Sequence, residues 1–281
     1  MTSNINTRPE DWLTVTPQGL YCAPGDFYID PPRAVARAVI THGHADHARP
    51  GHEHALATPQ TLDIIRHRFG TEGVPQGQAL AYGETLSLGD VTLRQIVLEH
   101  RGQRIVVSGD YKRRADPTCA PFEVVTCDVF ITEATFGLPV FRHPDARDEV
   151  AKVLHSQTTN PDRCVLVGVY ALGKALRGQI VLAPPSAARD RWARRLPNPV
   201  IAVASGWMGV RARARQRGAE LPLTISDHAD WDELTGTIHE VEAGEIWVTH
   251  GREDALIRYA TLQGITARAL SLVDRDEEEA E

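Results

Sequence analysis

The sequence predicts a layered α/β protein, and three observations carry that prediction. Short runs rich in β-branched and aromatic residues recur along the first half and return near residue 245. Segments with apolar residues at helical spacing lie between them, and few long loops join the two kinds. Past Phe136-Gly137 the character of the chain changes, which sets its middle apart from both ends.

In order along the chain, strands are expected at 27–30, at 36–41 after Pro31-Pro32, and at 91–93, 96–98, 104–108 and 129–132. Residues 59–68 carry the helical spacing. Beyond Gly137 a helix is expected over 145–154, with strands over 164–168 and 179–183. Arginines then crowd in: Arg189, Arg191, Arg194, Arg195, Arg211, Arg213, Arg215 and Arg217 make a local basic excess. Such a run reads either as a solvated helical face or as a phosphate-binding surface. A helix over 231–238, a strand over 245–249 and a helix over 253–262 follow, and the acidic stretch 274–281 reads as a solvated end. There is no internal repeat and no low-complexity segment.

The 281 residues are enough for one large α/β domain or two modest ones. No apolar run approaches the ~20 residues needed to span a bilayer, and the first residues hold no apolar signal-like stretch. A cytoplasmic protein without membrane association is expected. The four cysteines, Cys22, Cys119, Cys127 and Cys164, are scattered with no CxxC pairing, so buried free thiols are expected rather than a disulfide framework. A net charge of -7 does not by itself advertise a nucleic-acid binder, although metal-binding carboxylates lower the total.

The chemistry concentrates in Thr41-His42-Gly43-His44-Ala45-Asp46-His47, directly after the strand 36–40. Imidazole and carboxylate together suit zinc, manganese or iron, and a loop leaving a strand end can turn neighbouring side chains toward one point. The spacing divides the ligands: His42 and His44 can share one ion, while Asp46 and His47 reach a second beside it. Asp110 follows the strand 104–108 in Ser108-Gly109-Asp110 and is the favoured bridging carboxylate, Gly109 allowing the backbone to come close. His250 ends the strand 245–249 and can complete the second ion's shell. His228 stands among carboxylates in Ser226-Asp227-His228-Ala229-Asp230, which suits a protonated imidazole able to donate to a leaving oxygen. Glu133, at the end of the strand 129–132, can orient it. Ser226 and Asp227 also read as capping residues for the helix that follows. Gly168-Val-Tyr-Ala-Leu-Gly173-Lys174 imitates a phosphate-binding loop, but Ala175 stands where a Ser or Thr hydroxyl is needed, so a nucleoside-triphosphate site is not expected. Lys174 can still contact phosphate.

Taken together, these residues resemble the metallo-β-lactamase superfamily and, within it, the β-CASP nucleases. The stretches 19–30, 42–51, 107–112, 116–122 and 132–139 are similar to the bacterial ligase-associated DNA damage response exonucleases. The resemblance implies an αββα metallo-β-lactamase sandwich over 1–137 and 227–281, interrupted by a shortened β-CASP-like domain over 138–226. It implies that Asp30 supports the metal loop, that His42, His44, Asp46, His47, Asp110 and His250 hold two divalent ions, zinc or manganese, and that Asp46, Glu133 and His228 are catalytic. The implied activity is a DNA exonuclease of DNA repair, in which a metal-bridging hydroxide attacks phosphorus and His228 acts as general acid. Lys174, Arg211 and Arg213 are expected to hold the nucleic acid. The substrate is DNA, and the family resemblance adds a DNA ligase and a helicase of the same pathway as partners.

The chain departs from that pattern in two places. Relatives carry a further metal-binding histidine in a Gly-His loop before the bridging aspartate, whereas here Leu93-Arg94 passes directly into Gln95-Ile96-Val97. His100, expected in a hairpin turn, is a poor substitute. Lys174-Ala175-Leu176-Arg177-Gly178 looks like a join where relatives have more chain. Two alternatives therefore stay open beside the DNA exonuclease: an RNA-processing nuclease of the same fold, and a metal-depleted nucleic-acid-binding module.

Overall fold

The computed structural model describes residues 8–94, 96–117, 119–169, 179–184, 186, 191, 193–196 and 198–272. Its strands are β1 (Leu13–Thr16), β2 (Gly19–Cys22), β3 (Phe27–Ile29), β4 (Arg37–Val39), β5 (His54–Ala57), β6 (Gln76–Ala79), β7 (Leu86–Leu88), β8 (Val91–Arg94), β9 (Val97–His100), β10 (Gln103–Val107) and β11 (Val129–Glu133), with α1 (Pro59–Phe69) between β5 and β6. There follow α2 (Ala146–Thr159), β12 (Val165–Gly168), β13 (Ile180–Ala183), β14 (Val200–Ala204), α3 (Arg211–Gln216), β15 (Leu221–Leu223), α4 (Trp231–Glu240), β16 (Glu245–Thr249), α5 (Glu253–Leu262) and β17 (Thr266–Ala269). The fold is mixed α/β, with three sheets and five α-helices among the described residues. No helix among them is long and apolar enough to cross a membrane.

Two compact units divide the chain, Met1–Leu138 with Asp232–Glu281, and Pro139–Trp231. In the first, one sheet runs β1-β2-β3-β4-β5-β6 and the other β17-β16-β11-β10-β9-β8-β7. A single buried cluster joins them, with Phe27, Val39 and Leu56 from the first sheet meeting Leu93, Leu98, Ile105, Ile131 and Trp247 from the second. Ala38 and Ile40, flanking Val39, face the other way and pack with Ala55, Ala57, Leu62 and Ile65 against α1. That alternation is the two-residue period of a strand, and covering both faces explains why these strands are apolar throughout. α1 is set by Thr58, whose hydroxyl accepts the Thr61 N–H at 3.2 Å, by Pro59 in its first turn, and by Gly70 at φ +74 past its end.

Strands β3 to β6 run parallel, as do β10, β11, β16 and β17. Their carboxyl ends therefore share an edge in each sheet; Glu133 is the last residue of β11, and the loops leaving the other ends carry Asp30, the 41–47 run, Asp110 and His250. The second unit has one parallel sheet in the order β13-β12-β14-β15. Val165 and Val167 face one cluster and Leu166 the other, so β12 is buried on both sides.

Two sequence expectations need correction. His100 is the last residue of β9, not part of the turn; it is buried, its Nδ1 lies 2.9 Å from the Asp90 carbonyl, and its ring packs on Trp12. Through the pairing of β9 with β10 it sits opposite Gln103, at the other end of the strand from Asp110. Of the cysteines, Cys22 and Cys164 are buried, but Cys127 is half-buried and Cys119 exposed; all are free thiols.

Candidate metal centre

Asp30 organises the centre from below. It follows β3 in a left-handed conformation, φ +42, and its carboxylate accepts the Thr41 N–H at 2.7 Å and the Thr41 hydroxyl at 2.6 Å. The His47 Nδ1–H donates to the same carboxylate at 2.8 Å. Both Asp30 and His47 are buried. With Nδ1 anchored on Asp30, His47 Nε2 is turned inward, 3.3 Å from Asp46 Oδ2 and 3.6 Å from Asp110 Oδ1, where it can offer a lone pair to a metal ion or, without one, carry a proton toward these carboxylates.

A parallel arrangement holds His42. The single proton of the Thr41 hydroxyl goes to Asp30, so toward His42 Nδ1, 2.9 Å away, that hydroxyl accepts. His42 Nε2 then presents a lone pair to Asp110 Oδ2 at 3.1 Å, and His44 Nδ1 lies 2.9 Å from the same oxygen. Lone pairs of imidazole and carboxylate facing one another over such distances require a cation or a proton between them. The chemistry of this donor set fits a metal: outer nitrogens anchored, inner nitrogens converging on carboxylates.

Within the first unit, two groups of ligand atoms lie mutually within 4.8 Å: His42, His44 and Asp110, and Asp46, His47 and His250. Asp110 turns one oxygen to each group. Its approach depends on Gly109, which has φ +57 and where a Cβ would lie 2.7 Å from the Thr41 hydroxyl and 3.1 Å from His42 Nδ1. His250 also adopts a left-handed φ of +62, and Gly251 after it passes so close to Ala134 that a Cβ would meet the carbonyl oxygen at 2.2 Å.

Among the protein groups alone, burial opposes charge on His47, but the charge and hydrogen bond of Asp30, the hydrogen bond of Asp46 and the charge of Asp110 outweigh it and push the pKa to about 9. For Asp46, burial works upward, yet the hydrogen bond and charge of His47 hold it well below the usual carboxylate range. Glu133, buried at the end of β11, accepts the Tyr111 N–H at 3.0 Å and so fixes the backbone directly after Asp110. Thr41 and Tyr111 are the residues that sequence reasoning missed; adjacency to His42 and Asp110 was their only signal.

His228 belongs to the second unit. Its N–H donates to the Ser226 hydroxyl at 3.0 Å, and Asp227 Oδ1 stands 3.9 Å from Nε2. Ser226 thus closes a turn within the loop, five residues before α4 begins at Trp231. Arg211 and Arg213 lie on the short α3; Arg211 is exposed, and the Arg213 guanidinium sits 4.1 Å from the centre of the Trp207 ring. Lys174, Arg189 and the 174–178 join lie outside the described residues, and so does the side chain of Arg194.

These features define a mixed α/β protein whose histidine and aspartate clusters can hold a metal ion. No protein-family model matches the chain. It is 22% identical over 320 residues to a probable DNA ligase of Opitutus terrae (strain DSM 11246 / JCM 15787 / PB90-1), a match covering 92% of this chain and 31% of that protein. The chain thus spans about a third of the length of that relative. A solved structure described as a protein of unknown function from Enterococcus faecalis V583 superposes with a TM-score of 0.57 at 9% identity, over 84% of this chain and 79% of that one, a likeness of fold alone.

Proposed function

We propose that the protein is a two-metal phosphodiesterase that hydrolyses DNA, built as a metallo-β-lactamase sandwich with a small β-CASP-like insertion over 138–226. The observation that carries this reading is Asp110, with Oδ2 beside His42 and His44 and Oδ1 toward His47, placed as a bridge between two ligand groups. Two sheets sharing one core, with ligands at the carboxyl ends of parallel strands, support the fold assignment.

His42, His44 and Asp110 would hold one divalent ion, and Asp46, His47, His250 and Asp110 the other, zinc or manganese by donor type. When bound, two such ions lower the pKa of water and neutralise charge developing on a phosphoryl group. The protein's own work is positional. Asp30 fixes the tautomer of His47, Thr41 that of His42, and Glu133 the loop that carries Asp110. His228, with Asp227 Oδ1 3.9 Å from its Nε2, is assigned the proton for the leaving oxygen. Arg211 and Arg213, with Lys174, are assigned to the phosphate backbone.

DNA is preferred over RNA because the relative's name refers to DNA ligation. By the family resemblance alone, a DNA ligase and a helicase of the same pathway are proposed as partners. That match extends over 320 positions, more than the 281 residues here, which supports a chain shortened against its relatives. End-labelled DNA and RNA, digested by wild type and Asp46→Ala over several divalent ions, test the proposal. Metal-dependent loss of the DNA label by wild type alone is expected; equal activity of the two proteins, or none with any ion, would refute it.

A further inference from the structure

A cavity of about 140 Å³ opens beside the first ligand group. By the same measure a single water needs ~10–15 Å³, so the space is that of a planar ring system or a sugar. Its position follows from topology. The carboxyl ends of β4, β5 and β6 form one side, the tip of the β8–β9 hairpin and the start of the loop after β10 the other. Leu56, Leu80 and Ile96 make apolar walls, while His42 and Asp110 stand at the inner end. Tyr82, 61% exposed, contributes an aromatic ring to the lining.

Arg94 pairs with Val97 across the β8–β9 hairpin, and Ile96 beside that pair lines the cavity. The lining also disfavours one kind of ligand: among the described residues it contains no lysine or arginine, and the Asp110 carboxylate would repel an anion. An uncharged, flat group with both apolar and polar edges suits walls that mix Leu56, Leu80 and Ile96 with Thr41, Thr58 and Ser108, and an exposed aromatic ring offers it a stacking surface.

We propose that this cavity receives the nucleoside of the nucleotide whose phosphate lies at the metal centre. The proposal rests on the phosphodiesterase reading and adds to it a pocket that recognises the base and sugar. A pocket walled on opposite sides takes the last nucleoside of a chain more readily than one within it, so it also favours attack at a strand end.

Equilibrium titration of the metal-loaded protein with thymidine 5′-monophosphate and with inorganic phosphate tests this. Wild type is expected to bind the nucleotide at least tenfold more tightly than phosphate. Two variants remove that preference by opposite means: Ile96→Trp fills the cavity from the half-exposed hairpin tip, and Tyr82→Ala deletes the exposed ring. Each is expected to bring nucleotide affinity to within about threefold of phosphate, with bound metal unchanged. Equal affinities for the two probes in wild type, or a preference surviving in both variants, would overturn the pocket and leave the metal centre standing. A wild-type protein that binds neither metal nor phosphate would overturn the underlying phosphodiesterase reading as well.

Discussion

Replacing Asp30 with asparagine changes one oxygen to nitrogen about as far from the reacting atoms as the centre extends, and it should nevertheless weaken metal binding. Asn is the right probe because it tolerates the left-handed φ of +42 at this position, so the backbone need not move. One amide oxygen can still accept the Thr41 N–H, but the NH2 group now faces the Thr41 hydroxyl and His47 Nδ1. Nδ1 must then accept, which moves the imidazole proton to Nε2, the atom that faces Asp46 and Asp110. The second ligand group thereby loses its buried nitrogen donor. Substitutions of such outer partners typically cost 10–100-fold in metal affinity, about 1.4–2.8 kcal/mol. The assay is competition for Zn²⁺ against a chromogenic chelator, with melting curves in EDTA to show that the variant folds. A folded Asp30→Asn protein binding both equivalents of zinc within twofold of wild type would refute the tautomer argument.

Three further outcomes are expected. Gly109→Ala forces a left-handed alanine against the Thr41 hydroxyl and His42, which should cost about 1–2 kcal/mol in backbone strain and lower the melting temperature by about 2–8 °C; metal loading at the His42 group should fall with it, and an unchanged melt would show the approach is not tight. His52 is fully buried, its Nδ1 accepts the Val35 N–H, and burial holds its pKa below the ordinary value despite the charge of Asp30 and the backbone of Arg49, which both act upward. Its neutral form therefore contributes stability above about pH 6.5 that is lost as the pH falls toward the folded-state pKa; urea melts between pH 7.5 and 5.5 should show a shallower loss for His52→Asn than for wild type, and identical slopes would sink this assignment. Arg213→Ala should weaken DNA binding uniformly across sequences and reduce the slope of log affinity against log salt by about 1, while an unchanged slope would mean that Arg213 only packs on Trp207.

How much of this was legible in the sequence varies from element to element for physical reasons. Helix α5 coincides with the expected 253–262, and β16 with 245–249, because each combines strong local propensity with a buried face. β5 and β6 went unread: His-Ala-Leu-Ala and Gln-Gly-Gln-Ala have weak strand propensity, and β6 is mostly exposed, so only parallel pairing to β4 and β5 makes them strands. β14 carried a plain signal in Val200-Ile-Ala-Val-Ala204 and was passed over among the surrounding arginines. At the candidate centre, the ligand types and their division into two groups followed from the spacing of the 41–47 run. What spacing does not encode is which nitrogen of each histidine faces inward. Those roles come from Thr41 and Asp30, brought together by the parallel pairing of β3 with β4, and from Gly109, whose clash partners lie on another strand.

The central claim is that one carboxylate, Asp110, joins two ligand groups into a binuclear centre, and metal stoichiometry tests it most directly. Wild type and Asp110→Ala, saturated with zinc, freed of excess by gel filtration and analysed by elemental mass spectrometry, should give two ions per chain for wild type and at most one for the variant. Fewer than one ion in wild type, or two in Asp110→Ala, would contradict the account.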